Sequence, residues 1–114
     1  MTNQTQWANI CETSEILPNI GVCALFKNQQ VAIFKVIDQE GAEQLFAINN
    51  YCPFSRSNTI SRGIAGNINN KIVIASPLYK QHFDLETGIC IEDQNVKIST
   101  YPVRLKGSTV QLAA

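Results

Sequence analysis

An all-β fold, an antiparallel sandwich or small barrel, is what this sequence predicts, and three observations carry the prediction. Apolar residues come in short β-branched runs and not in long stripes of helical period. Turn-forming residues fill the joins between those runs. The one candidate helical turn is Ser14-Glu15-Ile16-Leu17, opened by a capping residue and stopped by Pro18.

Taken in order, the first strand candidate is Val22-Cys23-Ala24-Leu25-Phe26, which ends in the polar turn Lys27-Asn28-Gln29-Gln30. Val31-Ala32-Ile33-Phe34-Lys35-Val36-Ile37 follows and leads into Asp38-Gln39-Glu40-Gly41. Leu45-Phe46-Ala47-Ile48 and Lys71-Ile72-Val73-Ile74-Ala75 come next. Ile89-Cys90-Ile91, Val96 through Tyr101, Val103-Arg104-Leu105 and Val110-Gln111-Leu112 complete the set. Asn67-Ile68-Asn69-Asn70, Glu86-Thr87-Gly88 and Lys106-Gly107-Ser108 supply turns. About eight to ten strands so closely spaced suit an antiparallel sandwich or barrel. Tyr51 to Asn70 is the one long irregular stretch, and long loops on a rigid β-scaffold are where function tends to sit.

The 114 residues form one domain, 1–114, large enough to bury a core without staples. Apolar residues make up 45% and charged residues 16%, the composition of a globular protein with a lightly charged surface. Nine Lys and Arg balance nine Asp and Glu, so the chain lacks the basic excess that nucleic-acid binding needs. The N-terminus has no charged and apolar regions of a secretory signal. No apolar run approaches the roughly 18 residues of a membrane span. Cys11, Cys23, Cys52 and Cys90 include no Cys-x-x-Cys pair, which excludes a zinc ribbon or thioredoxin-type motif. Without an export signal, free buried thiols in the cytoplasm are expected.

Two segments carry the chemistry. Tyr51-Cys52-Pro53-Phe54 and Ser76-Pro77-Leu78-Tyr79-Lys80-Gln81-His82-Phe83-Asp84-Leu85-Glu86-Thr87-Gly88 resemble the two ligand loops of a Rieske centre. There, two cysteines hold one iron and two histidines the other, as Cys-x-His and Cys-x-x-His pairs. Phe54, Ser76 and Tyr79 stand where His, Cys and His are needed, so only Cys52 retains a ligand. Phe54 has no lone pair to donate. Ser76 and Tyr79 would have to ionise from pKa values above those of thiols, and oxygen is a harder donor than such clusters select.

The chain as a whole resembles the Rieske-like small subunits of assimilatory NAD(P)H-dependent nitrite reductases. The matching segments are 18–25, 30–34, Ser61-Arg62-Gly63-Ile64, Ala75 through Gly88, and Tyr101-Pro102-Val103-Arg104. The resemblance implies a Rieske ferredoxin-like β-architecture with two tip loops and no cluster. It further implies a large catalytic partner carrying FAD, a [4Fe–4S] cluster and sirohaem, which reduces nitrite to ammonium in the cytoplasm with NADH or NADPH. On this reading the chain is part of an enzyme, with no catalytic, cofactor-binding or metal-binding residue of its own.

Other readings of the same residues remain. A stand-alone Rieske-type electron carrier with atypical ligands is one. Cys52 and His82 as nucleophile and base is another, which needs spatial contact and an orienting group. Gly63, Gly66 and Gly88 read as turn residues with unusual φ, and no helix follows them to make a nucleotide site. Between Glu43 and Asp84 there is no acidic residue, while Arg56, Arg62, Lys71 and Lys80 all fall there. With Tyr51, Phe54, Leu78, Tyr79 and Phe83 alongside, that charge suits a protein–protein interface. Phe54 and Tyr79 are expected to fill the vacated volume, and Arg56, Arg62 and Lys80 to contact the partner.

Overall fold

The computed structural model describes residues 6–68, 70–77 and 81–113. Its strands are β1 (Ala8–Glu12), β2 (Val22–Phe26), β3 (Gln29–Ile37), β4 (Glu43–Asn49), β5 (Tyr51–Cys52) and β6 (Ser57–Asn58). After these come β7 (Ala65–Ile68), β8 (Lys71–Ala75), β9 (His82–Asp84), β10 (Thr100–Tyr101), β11 (Val103–Lys106) and β12 (Thr109–Leu112). Single 3-10 turns occupy Thr13–Glu15 and Ile60–Arg62. The architecture is all-β, and every pairing between these strands is antiparallel.

The central layer is the sheet β10-β4-β3-β2. Successive side chains of a strand point to opposite faces, so a strand covered on both sides reads as an unbroken apolar run. β3 behaves this way. Val31 and Ile33 enter one core, with Ile16, Phe26, Ala47, Val110 and Leu112. Ala32 and Phe34 enter the other, with Ile48, Cys52, Ile60, Ile74, Phe83 and Leu85. The first core is closed by the sheet β1-β12-β11, which joins the two ends of the chain. The second is closed by β7-β8-β9 and the β5-β6 ribbon.

Several expectations need correction. The helical turn is a 3-10 turn over Thr13–Glu15, one residue earlier than expected, tied down by Glu12 N–H donating to Glu15 Oε2 at 2.7 Å. Tyr51 to Asn70 is not one irregular loop, because β5, β6, the second 3-10 turn and β7 lie within it. Ile89–Ile91 forms isolated bridges only, Ile89 with Lys97 and Cys90 with Phe83. Gly88 does take a positive φ of 79°, but Gly63 is extended, at φ −77° and ψ 173°. Gly66 is likewise not among the positive-φ glycines. Gly63 is glycine for want of room, since a Cβ there would lie 2.3 Å from the Ala75 carbonyl oxygen. All four cysteines are free, yet only Cys52 and Cys90 are buried and Cys23 is exposed. Among the described residues, no helix is long and apolar enough to cross a membrane.

Candidate functional site

The site is where the two ligand-like loops meet above the second core. Cys52 ends β5, and a turn closed by Arg56 N–H donating to the Cys52 carbonyl at 2.8 Å carries the chain into β6. Ser76 directly follows β8, its N–H bonded to the Gln81 carbonyl at 2.7 Å. Cys52 and Ser76 are both fully buried, and Sγ and Oγ share a hydrogen bond of 3.3 Å. Burial pushes the Cys52 thiol up, but the Ser55 and Ser76 hydroxyls and the backbone N–H groups of Ser55 and Phe54 outweigh it. They hold its pKa below the ordinary thiol value.

Phe54 points into the molecule. Its half-buried ring packs against the second core, with its centroid 6.0 Å from that of Phe83 at 45°. Phe83 is itself fully buried, so it belongs to the core and not to the surface patch the sequence suggested. Leu78, Tyr79 and Lys80 lie outside the described residues.

These residues do not fit a [2Fe–2S] cluster. Phe54 offers no donor and its ring is engaged, while the thiol and hydroxyl that would face iron are bonded to each other. Among the described residues, no three His, Cys, Asp or Glu side chains converge to hold a metal ion.

His82 turns to Glu92 and not to Cys52: Nδ1 lies 2.6 Å from Glu92 Oε2, and the His82 N–H donates to Oε1 at 2.8 Å. Burial pushes the Glu92 carboxyl up, but the backbone N–H and ring of His82 overcome it and hold the pKa below the usual carboxylate range. Burial, with the nearby Glu92 carboxylate, pushes the Cys90 thiol up. The nucleophile–base pairing therefore has no geometric basis.

Two residues of this region escaped the sequence reading. Glu92 meets His82 because the turn at Thr87-Gly88 folds 82–85 back along 89–92, with Ile91 N–H donating to the His82 carbonyl at 2.7 Å. The symmetric spacing about that turn was the available signal. Asn50, 2% exposed, clamps the first loop to the central sheet. Its amide nitrogen donates to Gln30 Oε1 at 3.1 Å, and its side-chain oxygen accepts the Ser61 N–H at 2.6 Å. No spacing motif marks it.

On the outer surface, Arg56 sits at a φ of 55° and Arg62 ends the second 3-10 turn, both exposed. Among the described residues, neither arginine has a carboxylate within ion-pair distance.

The Rieske-like [2Fe-2S] domain model matches residues 6–113. The chain belongs to that family. Within it, the chain is 43% identical over 108 residues to the nitrite reductase (NADH) small subunit of Escherichia coli K12, covering 95% of this chain and 97% of that one. The NMR structure of the E. coli protein NirD superposes with a TM-score of 0.86 at 41% identity, covering 97% and 98% of the two chains. A third relative is of another kind. The nitrite reductase [NAD(P)H] large subunit of Klebsiella oxytoca contains a segment 30% identical over 104 residues, which covers 91% of this chain and 10% of that protein.

Proposed function

We propose that this chain is the small subunit of a cytoplasmic NAD(P)H-dependent nitrite reductase, docking on a large subunit that reduces nitrite to ammonium. The observation that carries the reading is near end-to-end similarity to a nitrite reductase small subunit. The related segment within a large-subunit polypeptide supports the choice of partner, since there the two modules share one chain. FAD, the [4Fe–4S] cluster and sirohaem belong to the large subunit, and the small subunit works without a metal.

Its own contribution is then mechanical and electrostatic. Cys52 is sealed from solvent and bonded to Ser76, so no electrophile or metal reaches it. The first ligand-like loop, packed over the second core, presents Arg56 and Arg62 on its outer side to contact the partner, and Lys80 is proposed to join them. Preformed surfaces bind at low ordering cost, and basic rims speed encounter with an acidic partner.

The experiment is capture of the purified large subunit, followed by NAD(P)H-dependent nitrite reduction with and without this chain. Association and a change in rate or half-life are expected. Absence of both overturns the reading. Reversing Arg56, Arg62 and Lys80 to Glu weakens binding about tenfold at low salt, and high ionic strength slows association of the unaltered chain. Anaerobically purified protein should be colourless; a brown product with iron and acid-labile sulfide would instead identify an electron carrier.

A further inference from the structure

We propose that Arg104 is a pre-set carboxylate-binding site on the outer side of the sheet β1-β12-β11, with Trp7 and Gln111 as the residues that position it. The carboxylate it receives is an Asp or Glu side chain of the large subunit. This rests on the subunit reading above and adds a contact on a different sheet from Arg56 and Arg62.

Val110 and Leu112 enter the first core, so Gln111 between them points to the other side of the sheet. Arg104 and Asn9 stand opposite Gln111 on the two neighbouring strands and share that outer side. A glutamine there is ordinarily solvated, yet Gln111 is only 7% exposed. It is bonded at both ends. Its side-chain oxygen accepts from Arg104 Nε at 2.8 Å, and its amide nitrogen donates to Asn9 Oδ1 at 2.7 Å. The guanidinium of Arg104 lies over the Trp7 ring, its carbon 4.3 Å from the ring centroid.

One edge and one face of the guanidinium are thereby taken, and the group is held in place before any ligand arrives. What remains is the outer edge with its two Nη groups. Among the described residues these make no hydrogen bond, and no carboxylate lies within ion-pair distance. Two parallel N–H groups in one plane match the two oxygens of a carboxylate.

The surrounding charges select the occupant. Lys106, two residues along β11, adds positive charge on the same side. Glu12 is the one acidic residue of the three strands, and it is engaged, accepting from Ser108 Oγ at 2.7 Å and Thr109 Oγ1 at 3.0 Å. Glu86 lines a cleft with Val103, whose side chain points to the opposite side from Arg104. A net charge of zero argues against a polyanion such as nucleic acid or an anionic membrane. A second copy across a two-fold axis would bring the same basic pair towards itself. A single side-chain carboxylate on the protein partner fits the one free edge.

Two measurements test this. In the first, the full chain is titrated with acetate, and with chloride at matched ionic strength, while the Trp7 indole N–H is followed by NMR. Acetate should shift it saturably and chloride should not. Arg104→Lys keeps the charge without the fork and should remove the acetate shift. Gln111→Leu, shown folded by thermal unfolding, should weaken the response at least about threefold through lost positioning. Equal responses to acetate and chloride, or an acetate shift that survives in Arg104→Lys, overturn the site. In the second, affinity for the purified large subunit is compared for Arg104→Gln and Arg104→Lys, with Lys106→Gln as a control on the same strand. Both Arg104 variants should weaken binding about tenfold, and Lys106→Gln far less. Binding that Arg104→Gln leaves intact, or that Lys106→Gln weakens equally, overturns the proposal but spares the subunit reading. No binding by the unaltered chain overturns both.

Discussion

On one face of the central sheet, β11 pairs with β12 along its whole length and β1 pairs with β12 on either side of one slip, and Val110 and Leu112 enter the first core. On the other, the covering elements are short. β5 and β6 are two residues each and β9 is three, and side-chain bonds from Asn50, Ser76 and Glu92 hold what ladders cannot. The first face is closed by backbone regularity, the second by particular side chains. Loops freed from ladder geometry can shape a surface, and the second face is the one over which the two ligand-like loops meet. The cost is that individual residues there bear more of the structure.

Truncating one large residue on each face gives the strongest contrast. Phe83→Ala and Leu112→Ala each remove a fully buried side chain, costing about 3–5 and about 2–5 kcal/mol respectively. Urea unfolding should rank them close together. Phe83→Ala also removes the ring on which Phe54 rests, so it should weaken capture of the large subunit at temperatures where both variants are folded. Equal losses of capture would mean that the two faces do not divide the labour.

Asn50→Ala comes next. It leaves the half-buried Ser61 N–H without its acceptor and breaks the link to Gln30, a cost of about 1–3 kcal/mol. Faster amide exchange should follow at Ser61 and its neighbours in the first loop, with β11 and β12 unaffected. Uniform acceleration across the chain would show that Asn50 supports the fold globally and not the loop locally.

The same division explains what was legible in the sequence. β2, β3, β4, β8, β11 and β12 all coincide with apolar runs, because a long ladder needs residues that suit a pleated, buried strand. β7, by contrast, is Ala65-Gly66-Asn67-Ile68, a poor strand by composition that exists because β8 pairs with every residue of it. β5, β6 and β9 are too short to show a period. β1 escaped notice although it closes the regular face; its pairing with β12 joins positions about a hundred residues apart and slips between Asn9 and Cys11. At the site, Cys52, Phe54 and Ser76 could be named because the loop motifs survive. The pairing of Ile20 with Ile64 was not legible, since no local pattern links two positions so far apart along the chain. Only the fold sets them side by side.

The smallest effect concerns Glu92, which serves the irregular face by bonding both the ring and the backbone N–H of His82. Its folded pKa lies below its unfolded value, so ionised Glu92 favours the folded state. That contribution is complete above the unfolded carboxylate value of about 4.3 and fades as pH falls through the lower folded value. Glu92→Gln should therefore lower the melting temperature near neutral pH, by an amount that shrinks as the medium is acidified below about pH 4. Because the carboxylate is nearly half exposed, the shift is small, within the range of surface pairs. A difference that stays constant with pH would assign the effect to lost packing. A difference that vanishes in acid would tie the base of the second loop to one carboxylate, as expected of a face held by side chains.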